Sequence, residues 1–187
     1  MNDPTDRSWR RGATIVTVES RWLRVIAEHY TDAAGQALEY WRIERASSVI
    51  IIPREGSTIL LPPASFRPGV AQCTRDLPGG RLDAGSTPLA QVAPILAREL
   101  GVGAERLAAA TLLDARGWMV DSAVSDQRVF GVVATLLPGP VAAGVVRIPA
   151  EREAIAALID SLECLQCRAV LLEWARQSGW HARRGGV

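Results

Sequence analysis

Residues 77–102 read LPGGRLDAGSTPLAQVAPILARELGV. A glycine-rich loop, Leu77-Pro78-Gly79-Gly80, passes through a polar turn at Gly85 into a segment with helical periodicity. Leu89, Val92, Ala93, Leu96 and Leu100 recur at i, i+3, i+4, i+7 and i+11. That spacing predicts an amphipathic helix over Pro88 to Leu100, with Pro88 in its first turn and Gly101 at its exit. Pro94 interrupts the pattern. It lacks the N–H that would bond back to Ala90, and in a helix interior it costs about 3 kcal/mol relative to Ala. Either the helix kinks there, or its regular part begins near Pro94.

The flanking sequence supplies the elements that would surround this helix. ATIVTVE (13–19), RWLRVIAEHY (21–30), ALEYWRIER (37–45) and SSVIIIP (47–53) are β-branched or aromatic runs separated by turn material such as DAAGQ, so they predict successive strands. GSTILLPP continues the strand pattern after a turn at Arg54-Glu55-Gly56, whereas ASFRPGVAQCTRDLPGG (64–80) is rich in Pro and Gly and is expected to be mostly loop. Beyond the helix, ERLAAATLLDARGWMV, QRVFGVVATLLPG and VAAGVVRIP give further strand candidates, with the polar segment DSAVSD (121–126) between the first two. Glu151 to Asp160 and Leu162 to Ser178 return to a helical period, and Cys164, Cys167, Leu171, Trp174 and Ala175 share one broad face of the second. The order predicts one α+β or layered α/β/α domain over residues 12–178, with residues 1–11 and 179–187 expected as flexible ends.

Composition narrows the function classes. At 187 residues the chain has the size of one domain. Its 48% hydrophobic and 22% charged residues are enough for a core and a charged surface, which argues against disorder and fibres. Basic and acidic residues number 21 and 20, so a net charge of +1 provides no global field for nucleic acid. No run approaches 18 consecutive apolar residues, so no membrane-spanning helix is expected. Three cysteines cannot all pair within one chain, and no signal-peptide pattern opens it, so a cytoplasmic location is the expectation.

The loop and helix of residues 77–102 resemble the Nudix box. The pattern of that box starts at a Gly matching Gly80 and places a Glu six residues later, then an Arg-Glu pair, an apolar residue, a Glu-Glu pair and a closing Gly. Leu77-Pro78-Gly79-Gly80, Gly85, Leu96 and Gly101-Val102 match its frame. The wider run from Trp22 through Arg45, followed by SSVIIIP and Phe66-Arg67-Pro68-Gly69-Val70, is similar to the ADP-ribose pyrophosphatase branch, and the likeness covers residues 12–178. The resemblance implies a Nudix fold, an α/β/α sandwich with a mixed sheet and an additional amino-terminal β-region. It further implies a nucleoside diphosphate or nucleotide-sugar ligand, and a homodimer whose interface includes the amino-terminal strands. Trp22, Tyr30, Tyr40 and Trp41 fit such an interface, with core packing as the competing role.

The charged positions of the box depart from the pattern. Ser86 stands at the first Glu, Pro94 and Ile95 at the Arg-Glu pair, and Arg98-Glu99 at the Glu-Glu pair. The resemblance implies that positions 95, 98 and 99 supply most of the carboxylates that hold Mg²⁺ or Mn²⁺ against a pyrophosphate. Three and four residues apart, they converge from consecutive turns onto one region. Glu99 alone is a poor ligand set for a hard dication, and Arg98 adds positive charge where the metal's would sit. The expectation is a nucleotide-binding or dimeric interaction module without normal metal-dependent hydrolysis and without a cofactor. The alternative is an active pyrophosphohydrolase in which Glu99 binds Mg²⁺ or Mn²⁺ with relocated carboxylates, Asp83 in the loop or Asp121 and Asp126 beside Asp114 in the later segment.

Other groups complete the candidate set. Arg67, Arg75 and Arg81 surround the glycine-rich loop, and their guanidinium forks suit phosphate oxygens, so with Gly79, Gly80 and Arg98 they are the candidate ligand-binding residues. Ordinary solvated arginines are the competing account. His29 and His181 have no identifiable partner for catalysis. Cys164 and Cys167 form a single CxxC within the predicted helix, without the second pair of a structural zinc site, and their shared apolar face favours packing over redox chemistry.

Overall fold

The β-branched runs of the first third do form strands. The computed structural model describes residues 9–180, and the chain divides into two compact units, Met1–Ala46 with Met119–Arg128 and Ser47–Trp118 with Val129–Val187.

In the first unit, β1 (Arg10–Glu19), β2 (Arg24–Thr31) and β3 (Ala37–Glu44) make an antiparallel sheet in the order β1-β2-β3. The DAAGQ turn closes β2 onto β3: the Asp32 carboxylate accepts the amides of Ala34 and Gln36, and Gly35 supplies the positive φ of 85°. Ile26, Ala27 and Glu28 of β2 are buried, whereas β1 is exposed along its whole length. Glu28 is a carboxylate with 0% exposure, which is tolerable only because its oxygens are satisfied. Arg42 Nε from β3 donates to it at 2.8 Å, Tyr30 Oη at 3.2 Å, and Arg11 from β1 also pairs with it. These contacts, Arg42 first and then Arg11, hold the Glu28 carboxyl down to about 2. They also correct the expected flexible segment 1–11, because Arg10 and Arg11 already belong to β1; residues 1–8 lie outside the described residues.

The second unit is built around β4 (Ser48–Glu55), whose residues Val49 to Pro53 are all buried. A continuous apolar run of this kind is expected of a strand covered on both faces. It pairs in parallel with β11 (Arg128–Leu136) and antiparallel with β5 (Thr58–Leu61) and β8 (Gly79–Arg81). With β9 (Leu107–Leu112), β10 (Trp118–Met119) and β12 (Val146–Pro149), these strands form a mixed seven-stranded sheet. Val49 and Ile51 share a core with Val92, Ile95, Leu96 and Leu100, so α1 (Val92–Leu100) covers one face. Ser48 and Arg54, of opposite parity, meet Gln166 and the ring of Trp174, so α3 (Leu165–Gln177) covers the other. Helix α2 (Arg152–Ser161) precedes α3 and packs against it. Among the described residues no helix is long and apolar enough to cross a membrane.

Four local expectations need correction. The segment 64–80 is not only loop: it holds the hairpin strands β6 (Ser65–Arg67) and β7 (Gln72–Thr74) and part of β8. Helix α1 begins at Val92, not Pro88, and residues 88–91 form a turn. Pro94 is thereby the third helical residue, where an N–H has no intrahelical partner to lose. Gly101 ends the helix at φ 65°, with its amide on Ala97 O and that of Val102 on Leu96 O. Helix α3 begins at Leu165 rather than Leu162, so Cys164 is its N-cap and not an interior residue. Trp180, expected in the flexible tail, packs edge-on against Trp174 at 5.1 Å between ring centroids.

Candidate functional site

The glycine-rich loop reaches its position through two close approaches. In β8, Gly80 lies opposite Val49 and Gly79 opposite Ile50. A Cβ on Gly79 would stand 3.0 Å from the Val49 carbonyl oxygen, and one on Gly80 would stand 3.1 Å from Ile95 Cγ1 and 3.2 Å from Arg98 Nη2. The two glycines therefore allow the loop to lie against both β4 and α1. Arg98 closes the contact from the helix side: Nη2 donates to Gly79 O at 2.8 Å, and Nε donates to Glu99 Oε1 at 2.9 Å. Ile95, at 1% exposure, is part of the core.

The remaining predicted residues divide by location. Asp83 and Ser86 both accept from Gln91 Nε2, at 3.2 and 3.0 Å, so the turn ahead of α1 is tied together by its own side chains. Arg67 pairs through Nε and Nη2 with Asp76 Oδ2, at 3.0 and 2.9 Å. Arg75 and Arg81 are exposed, Arg81 on β8. Asp114 Oδ1 accepts the Arg116 amide. Asp121 and Asp126 belong to the first unit, where Asp121 Oδ1 accepts the Ala123 amide and Asp126 Oδ1 the Arg45 amide. The structure thus brings Gly79, Gly80, Arg98 and Glu99 together. Asp83 is engaged within its own loop, and Asp121 and Asp126 with backbone of the first unit, to which they belong. His181 lies outside the described residues.

A second constellation joins the CxxC pair, whose shared apolar face favoured packing, to Asp76, which the sequence reading did not single out. One ligand atom each from Asp76, Cys164 and Cys167 lies within 4.8 Å of the others, and this is the one such group of three His, Cys, Asp or Glu residues among the described residues. Cys164 is half-buried at the N-cap of α3 and Cys167 is buried one turn on. The Cys167 thiol and the amides of Cys167 and Gln166 lower the Cys164 thiol to about 6, while its bond to Cys164 and its own burial push Cys167 up. The available sequence signal was the CxxC spacing at a helix start; Asp76 carried none. Apart from both groups, a cleft of about 400 Å³ lies between α2 and α3, lined by Ile155, Ile159, Leu172 and Trp180 with Arg152 and Arg176.

No family model matches the sequence, and no curated protein matches it. Solved structures do match the fold. Among them is the crystal structure of an ADP compounds hydrolase, with a TM-score of 0.70 and 16% identity over 94% of this chain and 100% of that one. At that identity the likeness speaks for architecture alone: the chain has a mixed α+β fold arranged like that structure.

Proposed function

We propose that this protein binds a nucleoside diphosphate or nucleotide-sugar ligand at the glycine-rich loop without normal metal-dependent hydrolysis. The observation that carries the reading is Arg98, whose guanidinium bridges the Gly79 carbonyl and the Glu99 carboxylate at the turn where box carboxylates would converge. Mg²⁺ and Mn²⁺ require several oxygen ligands. Here one carboxylate is engaged by a cation, and its neighbour at position 95 is a core isoleucine. The donor set does not fit a hard dication. Arg98 retains further N–H donors on an exposed side chain, and exposed Arg81 lies on the adjoining strand, which supports a role for both in meeting phosphate oxygens. The ADP compounds hydrolase of the same architecture supports the choice of ligand class.

Calorimetric titration of ADP and ADP-ribose, with product analysis in the presence and absence of Mg²⁺ and Mn²⁺, tests this reading. Saturable metal-independent binding without product is expected, weakened at least about tenfold in the double variant Arg81→Ala and Arg98→Ala, in keeping with the loss of charge-assisted bonds. Metal-dependent turnover abolished by Glu99→Gln would establish the hydrolytic alternative instead.

The first unit supports a homodimer as a further part of the proposal. Strand β1 lies at the sheet edge and exposes Ile15, Val16 and Val18, the last at 60%, while Trp22 and Trp41 are about half exposed. Unpaired backbone beside exposed β-branched side chains is a template for another chain. Light scattering after size exclusion should give a dimer mass, reduced to that of a monomer by Val18→Lys; a monomeric wild type refutes this part alone.

A further inference from the structure

We propose that Asp76, Cys164 and Cys167 form a binding site for a zinc-class divalent cation, with two sulfur ligands, one carboxylate oxygen and a fourth position for water. The site is distinct from the box and does not rest on the nucleotide-binding reading.

Geometry provides the first argument. Zinc bound at about 2.3 Å to sulfur and about 2.0–2.2 Å to oxygen in a tetrahedral arrangement places its ligand atoms roughly 3.4–3.8 Å apart. The three atoms already lie within 4.8 Å of one another, so small side-chain adjustments close the site. Cys164 and Cys167 stand three residues apart at the start of α3, on one side of the helix, where its N-terminal amides favour thiolate sulfur. Asp76 belongs to the segment between β7 and β8, and the amide of its neighbour Leu77 faces the Cys167 sulfur.

The second argument is an unsatisfied atom. Asp76 Oδ2 accepts from Arg67 and Thr74, but Oδ1 is buried with no hydrogen-bond partner. Buried polar oxygens are almost always satisfied, and an exception beside two thiols calls for a missing partner. A cation supplies it. Charge agrees: a dication compensates the negative charge that Asp76 and the two sulfurs would bring together, and Arg67 balances much of the remainder. The donor chemistry selects the metal, because two thiolates favour zinc over magnesium or calcium. A Cys164–Cys167 disulfide is the competing state, but it would leave Asp76 Oδ1 without a partner.

The site would tie the chain just ahead of Leu77-Pro78-Gly79-Gly80 to the start of α3. Reduced, chelator-stripped full-length protein should take up one Zn²⁺ per chain in competition with a chromophoric chelator. Co²⁺ should give a thiolate charge-transfer band and tetrahedral d–d absorption. Cys164→Ser and Asp76→Asn, both at sites with some solvent access and checked for folding by circular dichroism, should each weaken binding at least about 100-fold. Arg67→Gln, which frees the Asp76 carboxylate to turn, should weaken it about 10–100-fold. Cys73→Ser, at the exposed third cysteine, and Glu99→Gln should leave zinc affinity unchanged. Absence of stoichiometric zinc, a cobalt complex without the thiolate band, or unchanged affinity in both ligand variants would overturn the proposal. So would a purified chain two hydrogens lighter that takes up zinc no better after reduction. Zinc affinity that falls with Glu99→Gln would place the ion at the box, and the box reading would fall with this one.

Discussion

The glycine-rich box and the Asp76–Cys164–Cys167 group occupy the same unit and have opposite histories in the sequence. The box is contiguous and keeps its frame: Gly79 and Gly80 pack against β4 and α1, and Gly101 ends the helix. What it lacks is convergent donors, since Ile95 is in the core and Arg98 neutralises Glu99. The second group has no contiguous motif, yet three donors from two distant segments converge, one of them with an oxygen still to be satisfied. A contiguous backbone frame is therefore no guarantee of convergent donors, and donors can converge where the sequence marks only two of the three.

The strongest attempt to break this contrast is to restore a carboxylate to the box. Ile95→Glu puts a charge into a position at 1% exposure, and urea unfolding should show a loss of about 3 kcal/mol or more. If the variant keeps full stability, position 95 is open to solvent and the box is closer to a metal site than the structure indicates. Zinc should act in the other direction. At a free concentration of 100 times its dissociation constant it should stabilise the wild-type chain by about 2.7 kcal/mol, and Asp76→Asn should remove nearly all of that gain. An equal gain in both proteins would move the ion elsewhere.

Smaller effects resolve the frame itself. Gly79→Ala should destabilise by about 1–3 kcal/mol because the added methyl meets the Val49 carbonyl, which is backbone held in a sheet. Gly80→Ala should cost less, because Ile95 and the exposed end of Arg98 can give by a few tenths of an ångström. If chemical denaturation reverses that order, the loop is fixed by α1 rather than by β4.

Much of the fold was legible in the sequence because its signals are periodic. The strands β1 to β5 and β11 follow β-branched runs, and α2 and α3 follow apolar spacing. The errors fall where two signals compete. Pro88 and Pro94 both suit a first turn, and only packing of Val92 and Ile95 into the core chose the later start. The apolar period of α3 runs back to Leu162, but Leu162 is the buried C-cap of α2. That three-residue difference moved Cys164 from a helix interior to a helix start and changed its chemistry. Of the candidate site, helical spacing put positions 95, 98 and 99 on one region, and the association of Gly79 and Gly80 with Arg98 and Glu99 followed from the resemblance of the whole segment to a known box. Asp76 could be read from neither, because its approach to the cysteines depends on how β7, β8 and α3 are arranged in space.

Glu28 has a consequence for how the first sheet is assembled. Strand β1 is exposed on both faces and its pairing with β2 contains two register shifts, so alternation of apolar and polar side chains gives little guidance to its alignment. The buried carboxylate supplies that guidance, because a slip of one residue turns Arg11 to the opposite face and leaves Glu28 with Arg42 and Tyr30 alone. The discrimination is itself titratable. With its folded value at about 2 and its ordinary value of 4.5, the stabilisation is complete above about pH 4.5 and disappears as pH falls toward 2. Hydrogen exchange should show β1 amides losing protection over that interval ahead of those in β4, and equal loss in both strands would mean that alignment is enforced by something other than this one acid.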